Sequence, residues 1–157
     1  MPVGVDQHVS RRAVLAAAAG IAGAGVLTAC GGSTAASGPA SDPVAAEAAG
    51  AEQALIAQYR AFITAFPQLS AELTPILDQH GDHLKALGVT APATAAPVAA
   101  SDARTAVAVL ADVEREAAKA RRASCVAATD PGLARLLALI AASEASHAPA
   151  LTEMLAT

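Results

Sequence analysis

From about residue 44 onward, hydrophobic positions recur every three or four residues, with almost no strand-like alternation. The pattern predicts four helices. The first covers about Val44–Phe66 on the stripe Glu52, Leu55, Tyr59, Phe62 and Phe66; it starts at Asp42 or Pro43 and stops before Pro67. The second covers about Leu69–Leu87 on Leu69, Leu73, Ile76, His80, His83 and Leu87, with Gly88 as its C-terminal cap. Pro75 should kink this helix, unless Thr74 is the true N-cap and Pro75 its first residue. The third covers about Asp102–Ala127 behind Ser101 as N-cap, on Val107, Leu110, Glu114, Ala117, Arg121 and Cys125. Thr129-Asp130-Pro131-Gly132 reads as a turn. The fourth helix covers about Pro131–Leu155 on Leu133, Leu136, Leu137, Ile140, Glu144, His147, Leu151 and Met154.

Between the second and third helices lies an Ala/Pro/Thr stretch without periodicity, residues 88–100. Extended chain covers up to ~3.3 Å per residue, so this stretch can run the full length of a helical bundle. The fold class is therefore all-α: a four-helix bundle of two helical hairpins joined by a long crossover. Strictly up-down connectivity is the alternative.

The N-terminus has a different texture. A polar stretch with Arg11 and Arg12 precedes an apolar run, Ala13 to Ala29, which is short and Ala/Gly-rich for a membrane span. Ser10-Arg11-Arg12-Ala13-Val14-Leu15 resembles a twin-arginine export motif, and Leu27-Thr28-Ala29-Cys30-Gly31 resembles a lipobox. Residues 1–29 read as a lipoprotein signal peptide and Cys30 as the lipidation site. Residues 30–43, rich in Gly, Ser, Ala and Pro, read as a flexible tether, and residues 44–157 as the folded domain. Each acyl CH₂ buried in a bilayer contributes about 0.8 kcal/mol, so a doubly acylated Cys30 would hold the chain firmly at the outer face of the cytoplasmic membrane.

Composition narrows the function classes. Without Arg11, Arg12 and Asp6 the remaining chain carries 8 basic and 13 acidic residues, a balance of −5. With one Tyr, two Phe and no Trp it offers neither a basic patch nor a stacking platform for nucleic acid. Cys125 has no second thiol to pair with once Cys30 is acylated, and is expected as a small buried apolar residue. Asp112, Arg115, Glu116, Lys119 and Arg122 form a solvated charged face on the third helix, as Asp78, Asp82 and Lys85 do on the second. The sequence has no phosphate-cradling glycine loop, CxxC motif or Ser/His/Asp arrangement after residue 30, so no catalytic residue is assigned.

Six glutamate and histidine residues nevertheless sit on the apolar stripes: Glu52, His80, His83, Glu114, Glu144 and His147. Counted from the turns near Pro67 and Asp130 at 1.5 Å per residue, all lie roughly 20–26 Å along their helices. If the hairpins pack in register, six ligand-type side chains converge at one level of the core. Unpaired charges there cost several kcal/mol, so convergence implies mutual pairing or a bound cation. Carboxylates with imidazoles suit iron, manganese or zinc.

The order Glu52, a histidine pair, Glu114 and Glu144-Ala145-Ser146-His147 across four helices resembles the Glu / E-x-x-H / Glu / E-x-x-H pattern of the ferritin-like superfamily. Over about residues 45–156 the chain looks like a member of that superfamily, close to a ferritin-like domain of unknown function found in actinobacterial lipoproteins. The resemblance implies a ferritin-like bundle with Glu52, His83, Glu114, Glu144 and His147, and His80 beside them, as metal ligands. The second helix departs from the pattern, reading His80-Gly81-Asp82-His83 where a glutamate would bridge two metals. That departure fits a single-metal site, or one without metal, better than a di-iron oxidase. Two function classes follow: a membrane-anchored metal-binding lipoprotein, or a metal-free envelope module that binds a protein or a lipid-like ligand. In the metal-free class, buried Glu–His pairs such as Glu144 with His147 and Glu52 with His83 would hold the helices in register.

Overall fold

The computed structural model describes residues 42–90 and 100–156. The export signal with Arg11 and Arg12, the lipobox with Cys30, most of the tether and residues 91–99 of the crossover lie outside the described residues. The described residues form four long helices and one short 3₁₀ turn: α1 Pro43–Ala65, the 3₁₀ turn Pro67–Leu69, α2 Ser70–Ala86, α3 Ala103–Ala127 and α4 Pro131–Met154.

Local chemistry sets the helix ends. At α1 the Asp42 carboxylate accepts from the Val44 amide at 2.8 Å and Pro43 takes the first helical position, where a missing N–H costs nothing. At α4 Asp130 accepts from the Leu133 amide at 2.7 Å, again with a proline following. The α3 cap differs from expectation. Asp102, not Ser101, accepts from the Thr105 amide at 2.7 Å, and the Ser101 hydroxyl donates to the Asp102 carboxylate. Helix α2 runs continuously through Pro75, so Thr74 is not its N-cap. Instead the Thr74 hydroxyl donates to the Ser70 carbonyl at 2.7 Å. At the end of α2, Gly88 takes φ 80°, a left-handed conformation that glycine adopts without strain, and the Val89 amide returns to the Leu84 carbonyl.

The core divides into two apolar clusters. One comprises Ala45, Ala48, Ala49, Ile56, Leu84, Leu87, Leu133, Leu137 and Ile140; the other Tyr59, Phe62, Leu73, Ile76, Ala106, Val107, Leu110, Ala111 and Leu151. Cys125 is only partly buried, packed against the first cluster.

The clusters give the helix directions. Helices α1 and α4 run from the first cluster to the second, and α2 runs back from the second to the first. Helix α3 starts in the second cluster at Ala106, and Cys125 and Ala128 at its end pack on the first. So α2 and α3 point the same way. Val89 rests on the first cluster and Ala100 on the second, so the chain between them must return from one end of the bundle to the other. This agrees with a long crossover and not with strictly up-down connectivity, although residues 91–99 themselves lie outside the description. On α2, α3 and α4 the change from one cluster to the other is marked by His80, Glu114, and Glu144 with His147. A polar layer therefore crosses the middle of the bundle.

Candidate metal centre

Every helix delivers a buried polar group to that layer. Glu52 comes from α1, His80 from α2, Glu114 and Arg121 from α3, and Glu144 and His147 from α4. Glu52, His80, Glu114 and Glu144 are wholly inaccessible to solvent. His83, one turn after His80, keeps a small exposed edge.

His80 is the hub. Its Nδ1 lies 2.9 Å from Glu52 Oε2 and its Nε2 lies 2.8 Å from Glu114 Oε1. His83 Nδ1 stands 3.5 Å from the same Glu52 oxygen. Glu114 Oε1 also accepts from the Tyr59 hydroxyl at 2.6 Å, and Oε2 lies 3.2 Å from His147 Nδ1. The other nitrogen of His147 is 3.1 Å from Gln79 Oε1, to which the Ser143 hydroxyl donates. The rings of Tyr59, His83 and His147 all lie within 5.6 Å of the His80 ring, centre to centre.

Two groups of donor atoms result, Glu52–His80–His83 and His80–Glu114–His147. Within each, one ligand atom per residue lies within 4.8 Å of the others. Five of the six sequence candidates thus come together, and a buried cluster of this composition can hold a metal ion.

Glu144 is placed differently. It belongs to neither group, and its Oε1 faces Arg121 Nε at 3.9 Å. The pairing of Glu144 with His147, one turn apart, is not made; His147 turns to Glu114 instead. Glu52 and His83 do face each other, but with His80 between them and Glu114. Arg121 was legible as a member of this layer, since it stands on the α3 stripe two turns after Glu114. Tyr59 read only as an apolar position, and nothing in the sequence marks Gln79, which projects from the exposed side of α2.

Burial and neighbours shift the acidities. Burial alone would push the Glu52 carboxyl up, but His80 and His83 outweigh it and bring it down to about 2. Glu114 is also brought down to about 2, with His147, His80 and Tyr59 overcoming the same burial. Burial disfavours a charged His80, yet the two carboxylates hold its pKa up at about 9. Glu144 moves the other way. Burial and then the Glu52 charge push it up to about 8, and Arg121 only partly offsets them. The Tyr59 hydroxyl is held above its usual range by burial and by Glu114.

Several buried polar atoms have no hydrogen-bond partner: Glu52 Oε1, His83 Nδ1, both Glu144 oxygens, and Nε and Nη1 of Arg121. Native interiors rarely leave such atoms unsatisfied, because each costs about 1–3 kcal/mol. They are concentrated in one layer of the bundle. No protein-family model, curated protein or solved structure matches the chain.

Proposed function

We propose that this chain is an exported lipoprotein whose ferritin-like bundle holds a divalent transition metal in its core, at the outer face of the cytoplasmic membrane. One observation carries the metal reading: Glu52 Oε1 and His83 Nδ1 are buried, without a hydrogen bond, and grouped with His80 on adjacent helices. A carboxylate with two imidazoles is a donor set suited to zinc, iron or manganese, and here one ligand atom of each residue lies within 4.8 Å of the others. A bound dication would supply Lewis acidity in a dry, enclosed setting. Glu52 and His83 would bind it, and the surrounding apolar layers would exclude water.

The signal and anchor rest on the order of Arg11-Arg12, the apolar run and the lipobox at Cys30. No described helix is long and apolar enough to cross a membrane. The ferritin-like reading is supported by the parallel course of α2 and α3.

A second reading is favoured by the hydrogen-bonding of His80. An imidazolium between Glu52 and Glu114 would lock α1, α2 and α3 together without metal, leaving the bundle to act as an interaction module. Elemental analysis of protein purified without chelator separates the two. The metal reading expects close to one equivalent of a transition metal and a melting temperature lowered by EDTA. Less than about 0.1 equivalent with EDTA-indifferent melting supports the metal-free module instead.

A further inference from the structure

The two donor groups share one imidazole, and a single ion can bind only one nitrogen of that ring. We propose that the site is mononuclear: the ion takes Glu52, His80 Nδ1 and His83, while Glu114 supports His80 from behind and Arg121 faces Glu144, the carboxylate left outside the site. This assignment rests on the metal-binding reading above and goes beyond it.

Hydrogen-bonding separates the two groups. In the Glu52 group, Glu52 Oε1 and His83 Nδ1 have no hydrogen bond. In the Glu114 group every donor atom is already engaged. Glu114 Oε1 meets Tyr59 and His80, Glu114 Oε2 meets His147, and His147 Nε2 meets Gln79. Coordination in the Glu52 group displaces only contacts within that group, those of His80 Nδ1 and His83 Nδ1 to Glu52 Oε2, and satisfies two atoms that have no hydrogen bond; the Glu114 group contains no such atom.

The Glu114 side also has the form of a support. A metal-ligating histidine nearly always donates its other ring N–H to a carboxylate or carbonyl, which fixes the tautomer and aims the ligand nitrogen. The 2.8 Å contact from His80 Nε2 to Glu114 Oε1 supplies that partner. Tyr59 and His147 in turn hold Glu114, so Glu114 is a positioning residue.

Charge sets the number of ions. The layer contains three carboxylates, Glu52, Glu114 and Glu144, and one guanidinium, Arg121, all buried. Whether Glu144 is ionised or protonated, one dication with neutral imidazoles brings this set to within one charge of zero. A second would leave at least two uncompensated positive charges in an apolar interior, which is prohibitively unfavourable. Arg121 lies beside Glu144, the carboxylate outside both donor groups.

Cobalt(II) titration of the chelator-stripped full chain, followed by visible absorption, tests this. Wild type should saturate at one equivalent. His83→Ala, which alters a group with an exposed edge, should abolish the tight site and its spectrum while leaving helical circular dichroism intact. Glu114→Gln and His147→Ala should keep one equivalent with affinity reduced about 10–100-fold, and Glu114→Gln should also shift the cobalt bands. Saturation of wild type at two equivalents overturns the assignment, as does loss of binding in His147→Ala with retention in His83→Ala. In each of those cases metal binding itself still stands. No binding by wild type removes the metal reading on which the assignment rests.

Discussion

His80 meets a carboxylate at each ring nitrogen, and this governs how the metal-free bundle responds to pH. Its folded pKa of about 9 lies above the ordinary 6.5. Its contribution to stability is therefore complete below 6.5 and lost as pH rises through about 9. Glu144, raised from 4.5 to about 8, works in the same sense: its contribution is complete below 4.5 and lost as pH rises through about 8. Glu52 and Glu114, lowered from 4.5 to about 2, contribute above 4.5 and lose that contribution as pH falls through about 2. Thermal melts in EDTA should therefore peak near pH 4.5, above which the Glu144 contribution falls, and decline further through pH 9 as that of His80 is lost. A melting temperature that is flat or rising from pH 5 to 9 would contradict the network. A second residue-scale test is Tyr59→Phe, which removes a 2.6 Å hydrogen bond to buried Glu114. A bond to a charged acceptor contributes about 1.5–3 kcal/mol, with the lower figure expected because His80 still satisfies the same oxygen. Urea unfolding reads the loss directly. The sequence marked the acidic and imidazole members of this network because charge on an apolar stripe demands an explanation. It did not mark Tyr59, since a tyrosine on such a stripe already has one in packing, and its hydroxyl finds Glu114 only across the α1–α3 contact.

Among the elements, periodicity placed all four helices to within a residue or two, because 3.6-residue spacing of apolar positions requires no knowledge of neighbours. Caps were less legible. Ser101 and Asp102 are both cap formers, and the choice depended on which side chain reached the Thr105 amide. Pro75 read as a kink or as a first helical residue; it lies inside the helix, flanked by Leu73 and Ile76 in the core. Two substitutions test the local account. Gly50 is exposed within α1, and an added Cβ would have nothing within 4 Å, so Gly50→Ala should stabilise the fold by about 1 kcal/mol. Asp130→Ala removes the α4 cap and should destabilise by about 1 kcal/mol. Denaturant midpoints of opposite displacement are expected; a neutral Asp130→Ala would show that the cap bond contributes little.

For the whole molecule, the helix stripes and the matched heights of the ionisable residues placed the polar layer correctly, because rise per residue is fixed and both hairpins count from their turns. What counting could not supply was azimuth. Glu144 and His147 share a stripe, yet one faces Arg121 and the other Glu114, a difference of side-chain direction that depends on the neighbouring helix. The anchor is a claim at this scale too. Cys30→Ala should move the protein from the membrane fraction to the soluble fraction without altering helical content, and continued attachment would contradict lipidation. A single dication held on α1 and α2 is tested by anomalous diffraction from crystals grown with zinc. One anomalous peak is expected, about 2.0–2.2 Å from a Glu52 oxygen, His80 Nδ1 and a His83 nitrogen. No peak in the core, two peaks there, or one peak between Glu114 and His147 would contradict it.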